Sequence, residues 1–163
     1  MIRIALVEPE IPQNAGNIMR TCAATGCELY LVKPLGFELS DKHYKRAGLD
    51  YFEYSTVGVV ESFEELKQLF PETPFFYATT KAPRSHSDAH FPPDCVIVFG
   101  KESYGLSETI LKNNYDHCIR IPMKKETRSL NLATSVGIIL YEALRQNNFY
   151  GLKENGQLTG RID

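Results

Sequence analysis

The sequence predicts an α/β fold, a mainly parallel sheet with helices on both faces. Short apolar, β-rich runs alternate with longer segments of helical pattern along the chain. Gly26, Gly48 and Pro71 fall where those helical segments should stop. Neither an internal repeat nor a composition shift marks a linker, so residues 1–163 read as one domain.

The elements follow in order. "IRIALV" (Ile2–Val7) is the first strand, and "PEIPQNAGNIMRTCAATGC" reads as a turn and a helix halted at Gly26. "ELYLV" (Glu28–Val32) is the second strand. "SDKHYKRAG" has a Ser cap, a short basic helix and a terminating Gly48, and "YFEYSTVGVV" is extended. "SFEELKQLF" is a capped helix ended by Pro71. "PFFYATT" and "CVIVFG" are strands on either side of the polar loop "KAPRSHSDAHFPPD". The turn "GKESYGLS" leads to the helix "ETILKNN", and the strand "HCIRIPM" and loop "KKETRS" lead to the last helix, within "RSLNLATSVGIILYEALRQ". That helix is apolar on most faces, which makes Val136, Ile138, Ile139, Leu140, Ala143 and Leu144 core or interface candidates. Ser129 fits its N-cap, with Asn131 inside the first turn. The Gly-rich polar tail after about residue 150 is expected to be loosely ordered.

Composition narrows the class. A hydrophobic content of 43% with 23% charged residues is that of a globular protein. No apolar run is long enough for a membrane span, and the N-terminus has no signal-peptide pattern, so a cytoplasmic location is expected. Cys22, Cys27, Cys95 and Cys118 show no CxxC spacing and read as free thiols, most of them in apolar surroundings. A net charge of −2 exerts no global pull on nucleic acid. Any RNA contact must therefore come from local patches: Lys42, Lys45 and Arg46; Lys81 and Arg84; Lys124, Lys125 and Arg128. Tyr44 and Tyr104 are stacking candidates, with half-buried packing the commoner alternative. His86 and His90 have helical i, i+4 spacing, but the bordering prolines indicate a loop and no third ligand is near, so no metal is expected.

In a parallel α/β sheet, ligands bind beyond the carboxyl ends of the strands. Three exit loops lie there: "EPEIPQNAGNIMR", "FGKESYGLS" and "IPMKKETRSLN". Among them they carry Asn14, Arg20, Glu102, Arg128, Ser129 and Asn131. "GKESYG" is neither a dinucleotide fingerprint nor a phosphate loop with Gly-Lys-Ser/Thr; its glycines suit tight turns and close backbone approach.

Taken together and in this order, "NAGNIMR", "VFGKESYGL" and "IRIPM…RSLNLATSVGIILYEALRQ" resemble the three motifs of the SPOUT RNA methyltransferases. The opening "EPEIPQNAGN" and "AGLDY" at 47–51 extend the resemblance to the whole chain, and within that superfamily to the small TrmL (YibK-like) subfamily. The resemblance implies a tRNA 2′-O-ribose methyltransferase that uses S-adenosylmethionine and releases S-adenosylhomocysteine. Its substrate would be the wobble nucleotide 34, cytidine or modified uridine, in the anticodon stem-loop of leucine tRNAs. A homodimer and a C-terminal trefoil knot are implied as well. The alternatives are a methyltransferase of this fold acting on another tRNA or rRNA nucleotide, and a non-enzymatic RNA-binding protein.

Carried residue by residue, the resemblance gives Ala78, Thr79, Gly100, Glu102, Ile121 and Ser129 to the cofactor. It gives Arg20, Asn14, Ser129 and Asn131 to catalysis and suggests Tyr141 for the RNA, while the basic patches offer Lys42, Arg46, Lys81 and Arg128 to it. Arg20 is assigned to the 2′-hydroxyl. A guanidinium with a pKa above about 12 has no acceptor when protonated, so its role is to stabilise the emerging alkoxide and grip a phosphate. Asn14 would orient Arg20 or the ribose, and Glu102 would either pair with a neighbouring arginine or stand as a surface carboxylate in a turn. Tyr141 lies within the last helix, where packing competes with an RNA or interface role.

Overall fold

The computed structural model describes residues 1–40, 42, 46 and 54–160. Six parallel strands form one sheet in the order β3-β2-β1-β5-β4-β6. They are β1 (Ile2–Val7), β2 (Glu28–Val32), β3 (Thr56–Val60), β4 (Phe75–Ala78), β5 (Cys95–Phe99) and β6 (Cys118–Ile119). The α-helices bounded within the described residues are α1 (Pro12–Thr25), α2 (Phe63–Leu69), α3 (Glu108–Lys112) and α4 (Leu132–Gln146). The direction of winding reverses between β1 and β5, which pair Ile2↔Cys95 through Leu6↔Phe99. A crevice opens at such a switch point.

The central strands are buried on both faces, which explains why β1 and β5 are near-continuous apolar runs rather than alternating ones. Ile4, Leu6, Ile97 and Phe99 pack on one face against Ile18 and Met19 of α1 and Val136, Ile139, Leu140 and Ala143 of α4. Ala5, Val96 and Val98 pack on the other, against Leu66 of α2 and Leu111 of α3. Each fully buried large side chain contributes roughly 1.5–3 kcal/mol relative to exposure. The expected α/β architecture with helices on both faces is thus the one observed.

Local signals set most boundaries. Gly26 ends α1 with φ +69, a left-handed C-cap that glycine adopts without a Cβ penalty. Ser62 caps α2 by accepting from the Glu65 N–H. All four cysteines are buried and free, and burial pushes the Cys95 thiol up to about 12. Among the described residues no helix is long and apolar enough to cross a membrane, and no cluster of three His, Cys, Asp or Glu could hold a metal ion.

Two expectations fail here. The strand expected over "HCIRIPM" shrinks to Cys118–Ile119. It is an edge strand beside β4, and Pro122 lacks the N–H that would continue a ladder; Arg120 instead bridges to Ser85. The cap of α4 is Asn131, not Ser129: the Asn131 side chain accepts from the Thr134 N–H at 3.2 Å. Lys45, Tyr44 and the "AGLDY" segment lie outside the described residues, while Lys42 and Arg46 are exposed.

The far end of α4 carries a compact ionic cluster. Glu142 accepts from Arg145 at 2.8 and 2.9 Å and from Gln146 at 2.8 Å. The Arg145 and Gln146 hydrogen bonds hold its carboxyl pKa down to about 2. A carboxyl whose folded pKa is depressed stabilises the fold above its unfolded pKa, and that stabilisation fades as the pH falls toward the folded value. Glu142→Gln is accordingly expected to lower Tm near neutral pH and to converge with the parent chain near pH 2, which melting curves across pH 2–7 will measure.

Candidate active site

The chain leaves β1 through Glu8, whose φ of +51 is left-handed and whose N–H donates to the Val32 carbonyl at 2.9 Å. A non-glycine residue held this way is a strained position that its surroundings must enforce. The enforcement comes from the exit loop of β5. Lys101 Nζ donates to Glu8 Oε2 at 2.6 Å, which raises the lysine pKa. Two residues further along both loops, Ser103 donates through its N–H and its hydroxyl to the Glu10 carboxylate, each at 2.9 Å. These bonds hold the Glu10 carboxyl below the usual carboxylate range.

Between these two pairs sits Glu102. Its carboxylate accepts the backbone N–H groups of Glu10 at 2.9 Å and Ile11 at 3.2 Å, and the Asn14 side-chain amide at 3.0 Å. Helix α1 has no side-chain cap of its own at Ile11. A carboxylate from a residue far along the chain thus meets the positive end of the α1 dipole and satisfies donors that helix termini leave orphaned. The expected arginine partner for Glu102 is replaced by these three N–H donors.

The same charge orients a relay that reaches the third loop. Because Glu102 accepts only, Asn14 must point its NH₂ at it and its oxygen away. That oxygen receives the Asn131 NH₂ at 3.0 Å, which leaves the Asn131 oxygen to cap Thr134. One carboxylate thereby fixes two amide orientations, and Asn14 is only 7% exposed. Truncating Asn131 removes both a cap and a loop tie, so Asn131→Ala should cost about 1 kcal/mol or more. Ser129→Ala should cost far less, and denaturant titrations of the pair will separate them.

The three loops enclose a cleft of about 550 Å³, a size suited to a small organic ligand. Asn14, Ala78, Thr79, Lys81, Gly100, Glu102, Ile121, Arg128, Ser129 and Asn131, all predicted from sequence, line it. Phe99, Leu132 and Ile139 add apolar wall. Gly100 is required by close approach: a Cβ there would lie 2.3 Å from the Leu106 nitrogen and 2.4 Å from the Gly105 carbonyl carbon. Lys81 pairs with Glu108 across the rim, which holds the Glu108 carboxyl down.

Four predicted residues are not in the lining. Arg20 projects from the exposed side of α1, Tyr141 is 48% exposed on α4, and Lys42 and Arg46 stand elsewhere on the surface. Conversely, sequence reading passed over Glu8, Glu10, Lys101 and Ser103. Their signal was the matched two-residue spacing of acids in one loop and donors in the other.

A polar-and-apolar cleft at the carboxyl edge of a parallel sheet, laced at its switch point, defines a ligand-binding α/β protein of the kind that hosts enzymes. Comparison with known proteins narrows this. The family model described as the SpoU rRNA Methylase family matches residues 1–141. The tRNA (cytidine(34)-2'-O)-methyltransferase of Methylovorus glucosotrophus (strain SIP3-4) is 48% identical over 152 residues, spanning 93% of this chain and 99% of that protein. A solved structure described as "Structural insights into the 2-OH methylation of C/U34 on tRNA" has a TM-score of 0.86 at 42% identity, over 91% of this chain and 97% of that one. The SpoU methyltransferase AviRb from Streptomyces viridochromogenes, in complex with the cofactor AdoMet, has a TM-score of 0.79 at 25% identity, over 90% of this chain and 57% of that one. The chain belongs to the SpoU rRNA methylase family and is by that membership a methyltransferase, with the SPOUT-type α/β fold its motifs resemble.

Proposed function

We propose that this protein transfers a methyl group from S-adenosylmethionine to the ribose 2′-oxygen of wobble nucleotide 34, cytidine or modified uridine, in leucine tRNAs. The observation that carries the reading is the cleft, in which all three motif loops meet around the Glu102–Asn14–Asn131 relay. The near full-length likeness to a protein named for cytidine(34) supports the nucleotide, and the motif resemblance supports the leucine isoacceptors.

The residues present fit the cofactor. The cleft sets Thr79, Gly100, Ile121 and Ser129 beside an apolar wall from Ala78, Phe99 and Ile139, a mixture suited to a flat heterocycle and a polar amino-acid tail. When bound, S-adenosylmethionine supplies an electrophilic methyl on a sulfonium. Orientation and charge stabilisation are what the chain itself must provide. Asn14 and Asn131 hold the first and third loops in register and keep the shape of the cleft. Arg20 donates to the alkoxide developing at the 2′-oxygen and to the adjacent phosphate. Lys42, Arg46, Lys81 and Arg128 contact RNA phosphates.

Arg20 lies outside the cleft lining of its own chain, and the reading therefore includes a homodimer in which α1 and α4 meet a second copy. Ile138, 36% exposed, and Tyr141 on the outer side of α4 support that surface. A C-terminal trefoil knot formed by the segment after β6, a single domain over residues 1–163 and a cytoplasmic location complete the proposal.

The test is methyl transfer from labelled S-adenosylmethionine to bulk tRNA from a strain lacking this gene, followed by nucleoside mapping. A 2′-O-methyl group at position 34 of leucine tRNA is expected. Label on another nucleotide overturns the wobble assignment, and cofactor binding with no label on any RNA overturns the enzymatic reading of tRNA.

A further inference from the structure

We infer that Tyr104 is a stacking platform for an unpaired RNA base and sets a preference for single-stranded over duplex targets; this rests on the RNA-methylating reading above. The residue lines the cleft yet is 85% exposed. Within its own chain the ring therefore does not pack, packing being the commoner role for such a tyrosine. Among the described residues no hydrogen bond holds its hydroxyl.

The mount is rigid even though the ring is bare. Lys101 is tied to Glu8 at 2.6 Å, Glu102 to the start of α1, and Ser103 to Glu10 at 2.9 Å. The turn closes on itself through the Gly105 N–H and the Lys101 carbonyl at 3.0 Å, with Gly105 left-handed at φ +72. Every neighbour of Tyr104 in the turn is therefore fixed, and binding has only two side-chain torsions left to immobilise. An aromatic that buries nothing contributes little to folding, whereas one presented on a fixed arm at a cleft mouth is preorganised for contact.

The surrounding chemistry selects the partner. Lys81, Lys101 and Arg128 also line the cleft, the two lysines paired with Glu108 and Glu8, so a phosphate beside the ring would be met chiefly by Arg128. A tyrosine face stacks on any base, because every base has a π surface. It therefore reads whether a base is free, not which base it is. In a duplex both faces of each base are covered by neighbours, and the platform gains nothing. Phosphate contacts alone would hold duplex and loop about equally; the ring is what separates them.

The test uses the full chain and its Tyr104→Ala and Tyr104→Phe variants. Each is titrated with an anticodon stem-loop RNA carrying 5-iodouridine in the loop, and with a fully paired RNA duplex of the same length. Ultraviolet irradiation of the stem-loop complex is expected to cross-link the iodouridine to Tyr104, mapped by peptide mass spectrometry. Tyr104→Ala should bind the stem-loop about tenfold more weakly, a typical loss for one stacked base. Its duplex affinity and its S-adenosylmethionine affinity by calorimetry should not change, and Tyr104→Phe should behave as the parent. Unchanged stem-loop affinity in Tyr104→Ala overturns the inference, as does equal weakening toward both RNAs. Stem-loop binding with the cross-link intact but no methylation at position 34 overturns the wobble reading and leaves the platform standing. A parent chain that binds neither RNA overturns both.

Discussion

Replacing Arg20 by alanine is expected to lower kcat for tRNA methylation by about 10²–10³-fold, the usual cost of removing one donor aimed at a developing oxyanion. The proposed role explains why the loss falls on kcat: alkoxide charge exists in the transition state and not in the bound ground state. Arg20 sits on the exposed side of α1, outside the buried core, so Tm should fall by no more than a surface contact is worth. Arg20→Lys is the informative companion. It keeps the charge but loses the planar fork, and should recover only part of the rate. Cofactor binding by calorimetry should be the same in all three proteins. A small change in kcat with a raised KM would instead make Arg20 a phosphate contact of the enzyme. Mixing Arg20→Ala with a chain inactivated inside the cleft provides a second reading. If the arginine serves the site of a partner copy, heterodimers should regain activity that neither parent has.

Gly100→Ala should disable the protein by a different route. The added methyl would meet the Gly105 carbonyl oxygen at 2.8 Å as well as the two closer backbone atoms, and none of these is the end of a flexible side chain. Residues 100–106 must shift, at a cost of about 1–3 kcal/mol typical of an overpacked site. That shift would carry Lys101, Glu102 and Ser103 away from Glu8, Glu10 and Asn14. S-adenosylmethionine affinity should then fall at least tenfold, beyond the stability loss seen in denaturant titration. An alanine variant that binds cofactor normally would show that the turn has room the packing denies it.

The sequence was most informative where the determining interactions are local. β1, β2 and β5 stand at the residues read for them, because a buried parallel strand needs an unbroken apolar run and little else. Gly26 and Ser62 ended and began helices as their chemistry requires. The sheet order was not legible in that way, since pairing β1 with β5 joins residues more than 90 positions apart and no periodicity records it. The α4 cap was misplaced by two residues because Ser and Asn are both good caps. What decided between them was Asn14, a partner 117 positions away. Glu102 shows the same limit. From its own loop it is a surface carboxylate seeking a cation, and only the fold brings the bare start of α1 to it. The cleft itself was legible through motif order, because three exit loops of one parallel sheet must share an edge.

The Glu102–Asn14–Asn131 relay bears on how the protein comes into being. Its members enter the chain early, late and near the end, and each is held by the other two or by what they hold. Until the chain has passed Asn131, the Asn14 oxygen has no amide to receive and the third wall of the cleft does not exist. The amide that completes the relay and the helix that completes one face of the core therefore arrive together, so that a chain lacking its last helix has neither a finished core nor a finished pocket.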